Sequence, residues 1–129
     1  MALTRSPSNH AAQNSVTGTI SNGVTWYETV ILTDQDGVQL TGVDADIWQL
    51  QLRCDERSDT TDLVLSTSDG TLTITEGAEQ TTMLIDCAQS RLDSLEGDYV
   101  IDIVSKDSDG RLTHRAHGVI TIQESPVAF

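Results

Sequence analysis

The residues with the clearest chemical potential in this sequence are aspartates that occur in closely spaced pairs. Two pairs lie in the same motif, Asp-x-Asp-Gly: Asp34 with Asp36, and Asp107 with Asp109. Calcium prefers carboxylate oxygens, but an EF-hand loop supplies them at alternating positions over about 12 residues and ends in glutamate, and neither motif continues in that way. We therefore interpret both motifs as tight turns, in which aspartate favours turn entry and glycine adopts a positive φ. Calcium bound between the two turns is the alternative.

The histidines and cysteines do not form a recognisable catalytic or metal-binding set. His114 and His117 are the closest pair of histidines, and positions three apart on a regular strand point to opposite faces of a sheet, so the two side chains cannot chelate one metal. Cys54 and Cys87 lack CxxC spacing, which favours two buried free thiols, with a disulfide as the alternative. The sequence also contains no GxSxG motif and no glycine-rich phosphate loop. We expect no enzymatic activity, no metal and no cofactor.

Trp26 and Tyr27 are the candidates for a binding site. If they are exposed, their rings offer a stacking platform for a sugar. A tryptophan within an apolar run such as VTWYETVIL (residues 24–32) is more often a core residue, and we weigh this alternative first. With two tryptophans, two tyrosines and one phenylalanine in the chain, a glycosidase cleft lined by aromatic residues is not expected.

The charge balance limits the partners that this protein can bind. The chain has 20 acidic and 7 basic residues and a formal net charge of −13. Such a surface repels phosphate backbones and anionic membranes, and no apolar run approaches the roughly 20 residues of a membrane helix. We expect no binding to nucleic acid or to membranes, and we interpret the acidity as a means of keeping the surface soluble.

The strongest structural signal is a β-hairpin in residues 95–122. Tyr99, Ile101 and Ile103 share one parity in the first arm, and a second alternating run begins at Leu112. The sequence Asp-Ser-Asp-Gly at residues 107–110 is a typical turn between such arms. We expect the rest of the fold to be organised around this hairpin.

Alternating residues elsewhere predict about eight short strands in total. The clearest run, residues 47–54, predicts a core strand, whereas the apolar residues on both parities of residues 24–32 predict a strand covered on both faces. Residues 87–96 lose the alternation and predict one short helical turn. The inward side chains expected on the core strand are Trp48, Leu50, Leu52 and Cys54. This pattern predicts an all-β, two-sheet antiparallel β-sandwich.

The length of 129 residues predicts a single domain. We expect an N-terminal arm at residues 1–15, the sandwich at residues 16–125 and a C-terminal tail at residues 126–129. The N-terminal residues lack the apolar stretch of a secretory signal, so we expect a protein that is made in the cytoplasm.

The order of the motifs resembles that of small virion-associated proteins of tailed bacteriophages. The matching segments are TDQDGVQLTG (residues 33–42), DIWQLQLR (46–53), SDGTLTIT (68–75), and a closing region in which L-x-G-x-Y-x-x-D-I (95–103) precedes a DG turn (109–110) and GVITI (118–122). The resemblance covers approximately residues 33–123. The N-terminal residues and the Trp26-Tyr27 pair lie outside it.

The resemblance implies an immunoglobulin-like sandwich with a structural role in the tail, baseplate or fibre region and without catalytic residues. The implied partners are other phage structural proteins and further copies of the chain in a symmetric assembly, so the implied location is the virion, after synthesis in the host cytoplasm. Two alternatives stay open. One is a surface decoration or carbohydrate-binding module on the capsid or tail that uses Trp26 or Tyr27, and the other is a calcium-stabilised adhesion domain that uses the four turn aspartates.

Overall fold

The computed structural model describes the backbone of Leu3–Pro7 and of residues 14–124, and the side chains of residues 15–124. These residues form nine strands and one 3-10 turn, η1. The elements in chain order are β1 (Leu3–Pro7), β2 (Asn14–Ser21), β3 (Trp26–Leu32), β4 (Ile47–Arg53), β5 (Leu63–Ser66), β6 (Leu72–Glu76), β7 (Thr81–Cys87), η1 (Gln89–Arg91), β8 (Gly97–Lys106) and β9 (Leu112–Gln123).

The strands form two sheets, and the prediction of an all-β two-sheet sandwich is confirmed. The large sheet has the order β1-β2-β9-β8-β4-β5, and the small sheet has the order β3-β7-β6. The prediction of purely antiparallel pairing is wrong at one place, because β2 runs parallel to β9 along its whole length. No hairpin joins these two strands, which lie near opposite ends of the chain, so no tight turn forces them to run antiparallel.

The N-terminal residues are more closely joined to the sandwich than predicted. Leu3–Pro7 is the edge strand of the large sheet and pairs antiparallel with β2, which already begins at Asn14. The prediction of an arm that lies outside the fold is therefore wrong for Leu3–Pro7 and for the start of β2. The predicted tail at residues 126–129 lies outside the described residues.

The core lies between the inward faces of the two sheets. The predicted alternation of β4 is confirmed for Trp48, Leu50 and Leu52, which have no exposed surface. Cys54 was predicted to point inward as well, but it is exposed because β4 ends one residue earlier. The largest fully buried side chains are Trp48, Leu50, Leu52, Leu65, Leu72, Met83, Ile85, Leu92, Ile101, Ile103, Ile120 and Ile122.

The two cysteines do not form a disulfide. Cys87 is buried and Cys54 is exposed, and both thiols are free, so the disulfide alternative is not realised.

Strand β3 is covered on one face only, which corrects the prediction of two covered faces. Trp26, Val30 and Leu32 are buried, whereas Tyr27 and Ile31 are 65% and 47% exposed. The small sheet packs against the large sheet with one side, so the apolar side chains of the other parity lie on its outer face.

The predicted hairpin is confirmed as β8 and β9, which pair antiparallel from Gly97 and Ile122 to Lys106 and Leu112. The turn between them contains Gly110 with a φ of 83°. The predicted helical turn is also confirmed, since η1 begins two residues after β7.

Candidate functional site

A β-bulge in strand β9 places two histidines on the same face of the large sheet. Val104 pairs with His114 and Ile103 pairs with Ala116, which leaves Arg115 as an extra residue on β9. An inserted residue reverses the inward and outward alternation beyond it. The prediction that His114 and His117 point to opposite faces is therefore wrong, and both line one groove on the outer face.

The extra residue of the bulge carries its side chain towards the core. The Nε of Arg115 donates to the Oγ of Ser105 at 2.9 Å, and its guanidinium lies 5.3 Å from the ring centroid of Trp48. A guanidinium at this distance over an aromatic face makes a cation–π interaction. These contacts fix the bulge and, with it, the outward direction of both histidines.

His117 is the centre of a charged network that joins three strands and a loop. Its Nδ1 lies 2.7 Å from the Oδ1 of Asp102 on β8, and its Nε2 lies 2.9 Å from the Oε1 of Glu56 in the β4–β5 loop. The second oxygen of Asp102 accepts from the Nη2 of Arg53, at the end of β4, at 2.6 Å. The carboxylate of Asp102 therefore bridges two cationic groups.

The network changes the protonation of both groups at its centre. Hydrogen bonding to Asp102 raises the pKa of His117 above its ordinary value; Glu56 adds to this effect, and partial burial opposes it. Burial acts to raise the pKa of Asp102, but the hydrogen bonds from His117 and Arg53 outweigh it and lower that pKa overall. Both effects favour an ionised carboxylate beside an imidazolium.

The network lines an open groove of about 760 Å³ on the outer face. Further polar groups around the groove are Gln51, Ser58, Asp59, Thr61 and His114. Because both ring nitrogens of His117 are engaged by carboxylates, this imidazole has no free lone pair to act as a general base. Within the described part of the chain, no group of three or more His, Cys, Asp or Glu residues is placed to hold a metal ion. The geometry therefore supports a structural role for this network, in which ionic contacts cross-link β4, β8, β9 and the β4–β5 loop.

The two Asp-x-Asp-Gly motifs form the turns that the sequence predicts. The Oδ1 of Asp34 accepts from the backbone amides of Asp36 and Val38 at 2.8 and 3.0 Å. The Oδ1 of Asp107 accepts in the same way from the amides of Asp109 and Arg111, both at 2.9 Å. The first carboxylate of each motif thus holds its own turn, and the interpretation as turn chemistry is confirmed.

The aromatic candidates separate into one buried and one exposed residue. Trp26 is only 4% exposed, and its Nε1 donates to the Oε1 of Glu28 at 2.7 Å, so its ring is not available as a stacking platform. Tyr27 is exposed and borders a smaller groove of about 240 Å³, which Ile20 and Val24 also line. Trp26 also lines this groove but is almost completely buried, so Tyr27 is the candidate that presents an exposed ring to a ligand.

The outer face of the small sheet is a second candidate surface, which sequence reasoning missed. Strand pairing places Thr29 beside Leu84, and Ile31 beside Thr82, on this face. We call the whole set the small-sheet face: Tyr27, Thr29, Ile31, Thr73, Thr75, Thr82, Leu84 and Asp86. Its eight side chains include a single charged group, that of Asp86. The sequence signal that could have indicated this surface is the presence of apolar residues on both parities of β3.

Among the residues that the structure describes, no helix is long and apolar enough to cross a membrane. In comparisons of the sequence with protein-family models and with curated proteins, no match to this chain is found.

Proposed function

We propose that this protein is a non-enzymatic structural component of a tailed-phage virion, in the tail, baseplate or fibre region. The motif order described above supports the virion context, and on the same grounds we assign the sandwich to the immunoglobulin-like group as part of the proposal. The observation that carries the structural role is the small-sheet face, because it has the composition of a surface that contacts another protein.

The small-sheet face differs from the rest of the surface in its charge. The chain carries 20 acidic and 7 basic residues, yet this face exposes only the carboxylate of Asp86 among apolar and hydroxyl groups. Tyr27 and Ile31 are exposed on it, and Leu84 is half-buried between them. Apolar side chains that are exposed together and surrounded by uncharged polar groups mark protein interaction sites.

The small-sheet face is bordered by the two edge strands of its sheet. Among the described residues the small sheet has three strands, and β3 and β6 are the outer two. A neighbouring subunit can add a strand at such an edge while its side chains cover the adjoining face. The proposed partners are therefore other virion proteins and further copies of this chain in a symmetric assembly.

The test compares two substitutions of equal exposure on opposite sides of the sandwich. Ile31 is 47% exposed on the small-sheet face, and Val119 is 49% exposed on the large sheet. Each is replaced by aspartate and supplied from a plasmid to a tailed phage whose own copy of the gene is deleted. We expect Ile31→Asp to reduce the amount of protein in gradient-purified particles, because it buries a charge in the contact.

Val119→Asp is the matched control and should enter particles like the wild type. Thermal unfolding of both purified variants establishes that each is folded before incorporation is compared. Equal incorporation of the two folded variants would show that the small-sheet face does not contact the virion.

A second candidate function is a carbohydrate-binding module on the capsid or tail. The observation in its favour is the exposed ring of Tyr27 beside the groove that Ile20 and Val24 line. Binding of glycans on an array that is lost in Tyr27→Ala and kept in Ile31→Asp would favour this candidate. No glycan binding by the wild type would remove it.

A further inference from the structure

The loop between β4 and β5, residues 54–62, is attached to the outer face of the large sheet through its third residue, Glu56. The carboxylate of Glu56 contacts the Nε2 of His117 on β9, and its backbone oxygen accepts from the Nη1 of Arg53 at 3.2 Å. At the far end of the loop, the amide of Asp62 donates to the oxygen of Leu52 at 2.7 Å. The Glu56–His117 contact is thus the attachment that carries the loop across to β9.

The Glu56–His117 contact requires a protonated imidazole for a geometric reason. A neutral imidazole has one N–H and one lone pair, but His117 presents each of its ring nitrogens to a carboxylate oxygen, at 2.7 and 2.9 Å. If the ring lost a proton, one nitrogen lone pair would face a carboxylate at hydrogen-bond distance. Asp102 is only 12% exposed and is also held by Arg53, whereas Glu56 is 69% exposed on a loop. When the imidazole becomes neutral, the contact that breaks is therefore the one between His117 and Glu56.

We propose that His117 and Glu56 form a pH-controlled latch, which holds the 54–62 loop against the outer groove while the imidazole is charged and releases the loop when the imidazole becomes neutral. The lining of the groove, including Gln51 and Asp102, is more accessible in the released state. The proposal goes beyond the structural role in a virion and does not depend on it.

Among the described residues, the groups around the imidazole come from every element that packs against it. Asp102 on β8 and Glu56 in the loop are its contacts, Arg53 at the end of β4 neutralises the far oxygen of Asp102, and Asp59 and His114 line the same groove. On its other side, β2 contributes Ser15, which does not titrate. Because the pKa of His117 is raised, the latch is closed at the ordinary imidazole value of about 6.5 and opens as the pH rises through the folded-state pKa.

The structure supplies a natural reporter for this latch. Cys54 is exposed at the start of the loop, and Cys87, the other cysteine, is buried. A nitroxide attached to Cys54 of the folded protein reports loop mobility by electron paramagnetic resonance, and ¹⁵N-edited NMR of the imidazole reports the charge on His117. We expect the mobile fraction of the nitroxide to rise as the pH increases above about 6.5, with the same midpoint as the imidazole titration.

Two variants separate the latch from other titrating groups. Glu56→Ala removes the side-chain contact between the loop and His117 and leaves the Asp102–His117 pair in place, so the label should be mobile at every pH in this range. His114→Gln removes the neighbouring histidine of the same groove and should leave the mobility curve unchanged. The proposal is overturned if mobility stays constant while His117 titrates, if Glu56→Ala keeps the pH dependence, or if His114→Gln abolishes it.

Discussion

Gly118 on β9 provides the sharpest test of the parallel pairing that joins the N-terminal strands to the sandwich. A Cβ atom at this position would lie 1.8 Å from the backbone oxygen of Val16 and 2.7 Å from its carbonyl carbon. Backbone cannot yield in the way a flexible side chain can, so β2 would have to move away by more than about 1.5 Å to reach van der Waals contact. We therefore expect Gly118→Ala to separate β2 from β9.

The structure sets a range for the cost of this substitution. If the strands shift and remain paired, the free energy of unfolding should fall by about 1–3 kcal/mol, the range for overpacked sites. If β2 detaches, Val16 and Ile20 also leave the core, where they are 0% and 3% exposed. Their burial contributes about 1.5–3 kcal/mol each, and detachment therefore brings the loss to about 3–6 kcal/mol.

Urea unfolding measures this loss, and native-state hydrogen exchange locates it. Exchange should accelerate in β2 and in β1, which pairs only with β2 within the described sheet, and much less in β4 and β8. Val119→Ala, an exposed position next to Gly118, is the control and should change stability by less than about 0.5 kcal/mol. Wild-type stability and wild-type protection of β2 in Gly118→Ala would refute the pairing described here.

Four further outcomes follow from individual residues. Leu50→Ala should lower the free energy of unfolding by about 2–5 kcal/mol in urea titrations, because Leu50 is completely buried. Asp107→Ala should cost about 1–2 kcal/mol in the same assay, because two turn amides lose their acceptor, and Asp107→Asn should restore most of the loss. Because folding raises the pKa of His117, its contribution to stability is complete below about pH 6.5 and is lost as the pH rises through the folded-state pKa; melting temperatures of His117→Gln should lack this decline. Cys54 should react with a thiol reagent in the native protein, whereas Cys87 should react only after unfolding, since burial shields it and raises the pKa of its thiol.

The sequence predicted the parts of the fold that depend on local patterns. Strand β4 and the β8–β9 hairpin follow from alternation over seven or more residues and from a turn motif with glycine at its end. The parallel pairing of β2 and β9 is not visible in such patterns, because it depends on contacts between distant parts of the chain. For the same reason, the strand character of Leu3–Pro7 was missed.

The candidate groove could not be predicted, because its formation depends on a single extra residue. On a regular strand, His114 and His117 would lie on opposite faces of the sheet. The bulge at Arg115 brings both side chains to the same face. Arg115 is a charged residue at an inward position, and the sequence alone gives no sign of its contact with Trp48. Glu56 comes from a loop whose path over the sheet is likewise set by tertiary contacts.

The central claim, that this chain is a structural part of a tailed-phage virion, is tested most directly by quantitative mass spectrometry of density-gradient-purified particles from a phage that encodes it. We predict that the protein co-migrates with the tail or baseplate proteins at a fixed copy ratio across the particle peak and that washing in high salt does not remove it. Recovery of the protein only in the soluble fraction of the lysate, with none in the particle peak, would contradict the account.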